Sequence, residues 1–186
     1  MFRVLLVPLT RPMIMDFIDV VKENVMDSFQ RVGVNIEIDV WTSIELLPMN
    51  CFDWSRRQYF SPCIINWLYS RLAINLPEYF IVGIGYIDAY DTGLNFVFGE
   101  AFPRLRTCVV YTKRLNPSFY GEKTDYNLYV ERISKEIVHE LGHLLGLGHC
   151  NNPRCVMSFS NSIYDVDAKS RFYCSNCAYS IKRKLV

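Results

Sequence analysis

All three histidines of this 186-residue chain lie in one stretch of twelve residues, HELGHLLGLGHC, which begins at His139. Residues four apart on an α-helix lie on one face about one turn apart, so His139 and His143 can reach a single ion. Glu140 is turned about 100° from His139 around the helix axis, where it can reach a water beside the ion without binding the ion itself. The spacing therefore predicts a helix whose last turns carry a metal site.

The residues after His143 complete this prediction. Gly146 can end the helix through a left-handed cap, and the turn would bring His149 toward the same ion. Three histidines with a fourth position open to water are the ligand set of a catalytic zinc rather than a closed structural one. Such a zinc lowers the pKa of its water from about 16 toward about 7, and Glu140 would accept the water's proton as general base. The alternative is three hydrogen-bonded structural histidines on a helix and its exit.

Four of the seven cysteines follow the last histidine in two close pairs. Cys150-x4-Cys155 and Cys174-x2-Cys177 can close a tetrahedral thiolate site around a second, structural zinc. A zinc bound there would order the irregular segment that contains it, and would also hold the neighbouring third histidine in place. The alternatives are two local disulfides or free thiols.

The other three cysteines, Cys51, Cys63 and Cys108, are scattered along the chain. An odd number of cysteines without a secretory signal argues against a disulfide framework. We therefore expect these three to be buried small hydrophobic residues.

The stretch HELGHLLGLGH resembles the extended zinc signature of the metzincin clan of metallopeptidases, matched at the three histidines, Glu140 and Gly146. The continuation HCNNPRCVM, followed by CSNC, resembles the archaemetzincins more closely than the secreted members of the clan. The resemblance implies that Met157 belongs to a methionine-containing turn beneath the metal, although a lone methionine is as often a core residue. Some metzincins carry a tyrosine two residues past this methionine. Here that residue is Phe159, so a phenol near the metal would have to come from elsewhere, with Tyr164 as one candidate.

The resemblance also implies a substrate-binding strand. In metzincins an edge strand borders the cleft and pairs antiparallel with an extended substrate, and the segment LNFVFGEA at residues 94–101 is similar to that strand. Strand addition supplies main-chain hydrogen bonds to the substrate. The residues implied are Leu94, Asn95, Phe96, Val97, Phe98 and Gly99. The alternative is an ordinary sheet strand.

Together the patterns predict an α+β fold of the zincin/metzincin type in a single catalytic domain, residues 1–186. We expect a twisted mixed β-sheet with packed helices and a long active-site helix in an N-terminal subdomain (residues 1–146). A small irregular, zinc-stapled C-terminal subdomain (residues 147–186) would carry the third histidine, the methionine turn and the cysteines. Apolar spacing predicts helices at about residues 12–30, 63–73 and 125–145, and strands at residues 2–8, 34–41, 79–87, 94–102 and 107–113.

The function predicted is that of a zinc-dependent peptidase with two zinc ions per chain, one catalytic and one structural, that acts on a peptide or protein substrate. One alternative is a zinc-stabilised peptide- or protein-binding module with little or no hydrolytic activity. Another is a degenerate peptidase fold that binds peptides without cutting them, which the intact Glu140 disfavours. A formal net charge of +1 without clustered arginines speaks against nucleic acid and acidic membrane surfaces as partners.

Location is predicted from hydropathy. No apolar run approaches the roughly 18 to 20 residues that cross a bilayer. The apolar stretch at the N-terminus is too short for a signal peptide and is interrupted by Pro8 and Arg11. We therefore expect a cytoplasmic protein without a membrane partner, and a monomer.

Overall fold

A five-stranded sheet forms the centre of the molecule. The computed structural model describes residues 2–10 and 17–185. The strands of the large sheet are β1 (Phe2–Pro8), β2 (Ile36–Val40), β5 (Tyr79–Gly85), β7 (Gly99–Phe102) and β8 (Thr107–Tyr111), and a smaller sheet contains β3 (Phe52–Asp53), β4 (Gln58–Phe60) and β6 (Ala89–Tyr90). The order in the large sheet is β2-β1-β5-β8-β7, with every pair parallel except the antiparallel pair of β7 and β8. The sheet is thus mixed, as the sequence predicts, with β7 at one edge.

Helices cover both faces of this sheet. The helices α1 (Ile18–Gln30) and α3 (Tyr126–Leu144) pack on one face, and α2 (Ser61–Arg71) packs on the other. Successive side chains of a strand point to opposite faces, so Val4 and Leu6 of β1 enter the first core while Leu5 and Val7 enter the second. Burial on both faces explains why β1 is apolar without interruption from Val4 to Pro8. Among the described residues, no helix combines the length and hydropathy needed to span a membrane.

The C-terminal segment is more helical than the sequence predicts. It contains α4 (Ile163–Ala168) and α5 (Ser175–Leu185), whereas the sequence predicts an irregular segment there. Met157, Val166 and Ile181 are fully buried in the same core as α1 and α3. The segment therefore shares its core with the rest of the chain, and a subdomain boundary at residue 146 stays a prediction.

The predicted strand over residues 94–102 is wrong for its first part, because β7 begins only at Gly99. Val97 makes an isolated bridge with Ala89 of the small sheet instead of continuing beside β8. The carbonyl of Asn95 accepts a hydrogen bond from the side chain of Gln58, 3.0 Å away. Residues 94–97 are therefore held as a loop by the small sheet, whereas the carbonyl of Phe98 accepts a hydrogen bond from the backbone N of Tyr111 in β8 at 2.8 Å. The other predicted elements are present with ends shifted by a few residues, but the start predicted for α1, at residues 12–16, lies outside the described residues.

Two of the scattered cysteines are not isolated hydrophobic residues. Cys51 and Cys63 form a disulfide that joins the segment before β3 to the first turn of α2, so the expectation for these two was wrong. They lie 12 positions apart on either side of the β3–β4 hairpin, and the hairpin turns the chain back so that the two meet. Cys108 is a fully buried free thiol, as predicted.

Candidate zinc centres and catalytic cleft

The histidine cluster lies at the end of α3. Asp125 caps the start of this helix, since its Oδ1 accepts a hydrogen bond from the backbone N of Leu128 at 3.0 Å. Gly146 adopts a left-handed φ of 77°, and the N–H of Leu147 donates to the carbonyl of Gly142 at 2.9 Å. These two features end a helix with a glycine cap. The predicted turn toward the third histidine is therefore present.

The three imidazoles face one another. Their candidate ligand nitrogens, one each from His139, His143 and His149, lie within 4.8 Å of one another. The Nε2 atoms of His139 and His143 are 3.0 Å apart, close to the roughly 3.3 Å that two nitrogens take around a tetrahedral zinc. Nδ1 of His139 lies 2.7 Å from the carbonyl of Val156, and Nδ1 of His143 lies 2.8 Å from that of Leu147. When each Nδ1–H donates to its carbonyl, each Nε2 is left free for a metal.

The electrostatic surroundings keep these imidazoles neutral. Burial lowers the pKa of His139 well below its ordinary value, and the nearby positive charge of Lys169 lowers it further. Burial also lowers the pKa values of His143 and His149. Neutral imidazole is the form that binds a metal, so the site is prepared for a cation.

Glu140 lies beside the imidazoles with an incomplete set of partners. Its side chain is buried, and its Oε2 has no hydrogen-bond partner within the described residues. Burial, reinforced by the neighbouring Glu136, raises the pKa of Glu140 well above its ordinary value. A Cβ atom on Gly99 would lie 2.5 Å from Oε1 of Glu140, so the close approach of β7 requires a glycine there. A cation and a water beside this carboxylate would supply its missing partners.

The four cysteines form a second cluster. All four are free thiols, and their sulfur atoms lie within 4.8 Å of one another. The sulfurs of Cys150 and Cys174 are 3.8 Å apart, which is about the separation of two sulfurs around a tetrahedral zinc. Burial opposes ionisation of Cys174, but hydrogen bonds from the backbone of Cys177 and from nearby thiols lower its pKa to about 7. Burial raises the pKa values of Cys155 and Cys177, so the fit to the predicted structural site rests on the convergence of the four sulfurs, which a zinc ion would hold as thiolates.

The segment around Met157 lies against α3. Met157 is fully buried against Gly142 of α3, where its sulfur fills the space that a side chain at position 142 would need. The ring of Phe159 lies 4.8 Å from that of His149. Tyr164 is 78% exposed and does not line the cleft, so the structure does not bring this phenol to the histidines.

A cavity of about 770 Å³ contains the histidines and Glu140. The predicted substrate-binding residues all line it, although only the last of them belongs to a strand: Leu94, Asn95, Phe96, Val97, Phe98 and Gly99. In the described part of the chain, the outer edge of β7 pairs with no other strand of the large sheet. The cavity therefore runs beside a sheet edge with free main-chain groups.

Four charged residues that line this cavity were missed by the sequence analysis: Asp91, Glu100, Glu136 and Lys169. Nζ of Lys169 lies 2.9 Å from Oε1 of Glu136. Glu136 precedes Glu140 by four residues on the same helix face, which is a signal that the sequence contains. No local pattern identifies Lys169, because it comes from a distant loop after α4.

Known proteins resemble the chain over nearly its whole length. Residues 10–183 match the model of peptidase family M54. The archaemetzincin of Pyrococcus furiosus is 40% identical over 91% of this chain and 88% of its own length. A crystal structure of archaemetzincin from Methanopyrus kandleri is 34% identical, with a TM-score of 0.82, over 99% of this chain and 95% of that one. A zinc-dependent peptidase from Methanocorpusculum labreanum is 26% identical, with a TM-score of 0.85, over 96% of this chain and 99% of that one.

These matches favour a peptidase over a binding module, and they agree with the convergence of three imidazoles beside a buried carboxylate in the cleft. The substrates of such an enzyme are peptides or proteins. The chain belongs to peptidase family M54 and is a zinc metallopeptidase of the archaemetzincin type.

Proposed function

We propose that His139, His143 and His149 hold the catalytic zinc of this peptidase and that Glu140 is its general base. The observation that carries the proposal is the convergence of three candidate ligand nitrogens within 4.8 Å, beside a buried carboxylate oxygen that has no hydrogen-bond partner in the part of the chain that the structure describes. A zinc ion in this site supplies a Lewis acid that acidifies a water and polarises the scissile carbonyl.

The chain's own groups perform the proton transfers. Glu140 accepts the proton of the attacking water and delivers it to the amine of the leaving peptide. The carbonyls of Val156 and Leu147 hold the imidazoles of His139 and His143 in the orientation that presents Nε2 to the metal. Burial of Glu140 excludes bulk water, which strengthens every electrostatic interaction inside the site.

We propose that the substrate extends along the cleft beside β7. The unpaired edge of this strand offers main-chain donors and acceptors to a peptide that runs antiparallel to it. The loop at residues 94–98 continues the same rim and contributes side chains such as Phe96 and Phe98. Gly99 lets this rim approach Glu140, which brings a bound peptide next to the general base.

We propose a second, structural zinc held by Cys150, Cys155, Cys174 and Cys177. The support is the 3.8 Å sulfur separation and the lowered pKa of Cys174. Met157 would then form the floor beneath the catalytic site. Its carbonyl accepts a hydrogen bond from the backbone N of Cys150 at 2.8 Å, which joins this floor to the cysteine cluster.

The substitution Glu140→Gln tests the catalytic role. It should leave two zinc ions bound, counted by native mass spectrometry, and lower peptide hydrolysis by at least about a hundredfold. Glu122→Gln is the matched control, because Glu122 is exposed on a loop away from the cleft and should have wild-type activity. Hydrolysis at a normal rate by the Glu140→Gln enzyme would remove this carboxylate from the mechanism. One zinc in the wild-type protein would contradict the two-site proposal.

We also propose a cytoplasmic monomer that has neither a nucleic acid nor a membrane as partner. The near-neutral net charge and the use of four cysteines as free thiols support this. The Cys51–Cys63 disulfide is the observation that argues against a reducing compartment. Size-exclusion chromatography with light scattering tests the monomer, and a single species near 21.8 kDa is expected.

A further inference from the structure

A buried ion pair lies in the catalytic cleft, and the proton transfers proposed above do not pass through it. The side chains of Lys169 and Glu136 are 0% and 4% exposed, and their charged atoms are 2.9 Å apart. Both residues line the cavity that contains His139 and Glu140. A fully buried lysine is rare, so its presence in this cavity calls for a physical reason.

The pair joins the two walls of the cleft. Glu136 belongs to α3 and lies one helical turn before His139 and Glu140. Lys169 follows α4, and its Nζ lies 3.4 Å from the carbonyl of Ser158, the residue directly after the turn methionine. The wall made by Phe159, Ser160 and Asn161 continues from that carbonyl. One ammonium group therefore spans the gap between the catalytic helix and the opposite wall.

Docking of α4 onto α3 does not depend on this lysine. Arg132 forms a two-pronged ion pair with Asp167, with both nitrogen–oxygen distances at 2.7 Å. Lys135 donates to the carbonyls of Val166 and Asp167 at 3.0 and 3.3 Å. These contacts already fasten the end of α4 to the helix. The contacts that Lys169 adds, with Glu136 and with the carbonyl of Ser158, lie in the cleft.

Stability alone is a poor reason for such a pair. Removing two charges from water costs several kcal/mol per ion, and an apolar pair of similar volume is often as stable or more stable. The hydrogen bond of Lys169 to the carbonyl of Ser158 is long, and its approach to Glu136 is too oblique to form a well-directed hydrogen bond. An ion pair that contributes little to stability and lies between two substrate-facing walls is best explained as the contact that fixes the distance between those walls.

We propose that Lys169, through Glu136 and the carbonyl of Ser158, is a positioning residue that sets the width of the cleft beside the metal. It thereby determines which side chain next to the scissile bond the peptidase accepts. The inference rests on the proposed function for the chemistry, but the width of the cleft can be measured by binding as well as by turnover.

The test is the double substitution Glu136→Gln with Lys169→Met, which removes both charges and keeps the shapes. It should retain two zinc ions and at least the wild-type free energy of unfolding. The preference for leucine over alanine after the scissile bond, taken as the ratio of kcat/KM values, should fall about tenfold. Lys135→Met is the matched control, because it removes a buried lysine that bonds to the same segment but does not line the cavity. This control should be less stable than the wild type and keep the wild-type preference.

Binding gives a second measurement. Peptide hydroxamates with leucine or alanine at the same position are titrated against zinc-loaded protein, and the double variant should lose the leucine preference there too. An unchanged preference in turnover and binding would overturn the proposal, and so would an equal change in Lys135→Met. If the wild type binds the hydroxamates with a preference but cleaves no peptide, the proposed function fails and this inference stands. If the double variant does not fold, Glu136→Gln alone should speed hydrogen exchange at residues 158–161, and unchanged exchange would refute the role.

Discussion

The histidine cluster and the cysteine cluster are joined through short pieces of backbone. His149 is bonded directly to Cys150. The carbonyl that accepts the hydrogen bond from Nδ1–H of His139 belongs to Val156, the chain neighbour of Cys155. From this arrangement we predict that loss of the cysteine site weakens zinc binding at the histidine site, even though no histidine is changed.

The perturbation is the double substitution of Cys174 and Cys177 by serine. Structural zinc in small domains contributes about 10 to 16 kcal/mol, as much as the whole stability of many domains, so its loss should disorder the segment after residue 147. That removes the Val156 carbonyl from His139 and frees the position of His149. Each such loss typically costs about 10- to 100-fold in affinity. Together they predict zinc binding at the histidines about 10²- to 10⁴-fold weaker, or roughly 3 to 5.5 kcal/mol.

Competition with a chromophoric zinc chelator measures this affinity. The matched control replaces Cys51 and Cys63 by serine, which removes the same number of sulfurs at the disulfide and should leave histidine-site affinity unchanged. Histidine-site affinity within threefold of wild type in the Cys174/Cys177 variant would refute the coupling. It would show that the histidines hold their geometry through α3 and its glycine cap alone.

Three further predictions concern single features. Burial, aided by Asp91, raises the pKa of Glu100 to about 7 from 4.5, so the folded protein holds this proton more tightly than the unfolded chain and its stability should fall as pH rises between these values. Glu100→Gln should therefore gain stability relative to wild type near pH 8 but not near pH 4, as measured by thermal unfolding, and the same difference at both pH values would contradict this. Reduction of the Cys51–Cys63 bond should lower the free energy of unfolding in urea by about 3 kcal/mol, because the bond closes a short loop in the unfolded chain; equal urea midpoints with and without reductant would exclude that contribution. Gly99→Ala should push Glu140 out of position and cut peptide hydrolysis about a hundredfold with both zinc ions retained, and wild-type turnover would show that the rim can retreat.

The parts of the site that could be predicted from sequence are those that a few consecutive residues determine. The four-residue spacing of His139 and His143 needs only a helix, and Gly146 needs only a left-handed turn, which its φ of 77° confirms. The cysteine pairs are likewise recognisable from their spacing, and the structure gathers them. Each of these geometries follows from local backbone conformation, so the sequence contains it directly.

Pairings between segments that are distant in the sequence could not be predicted in the same way. Residues 94–98 are rich in residues that favour strands, but Val97 bridges Ala89 of a small sheet that the sequence did not predict. The meeting of Cys51 with Cys63 depends on how the β3–β4 hairpin folds back. Side-chain pattern gives the propensity of a segment, whereas its partner depends on competition among distant segments, and here tertiary structure overrode propensity.

The cleft shows where these two kinds of information meet. α3 alone brings two imidazoles and Glu140 together, so the chemistry can be inferred from one helix. What the enzyme accepts depends on the other wall, which comes from the β7 rim and from the segment held by Lys169. Since Glu136 is the residue of α3 that contacts this lysine, the helix that carries the chemistry also fixes the position of the wall that selects the substrate. Changes at the lysine should therefore alter selectivity while the zinc ligands stay in place, whereas changes at Glu140 should abolish turnover for every substrate alike.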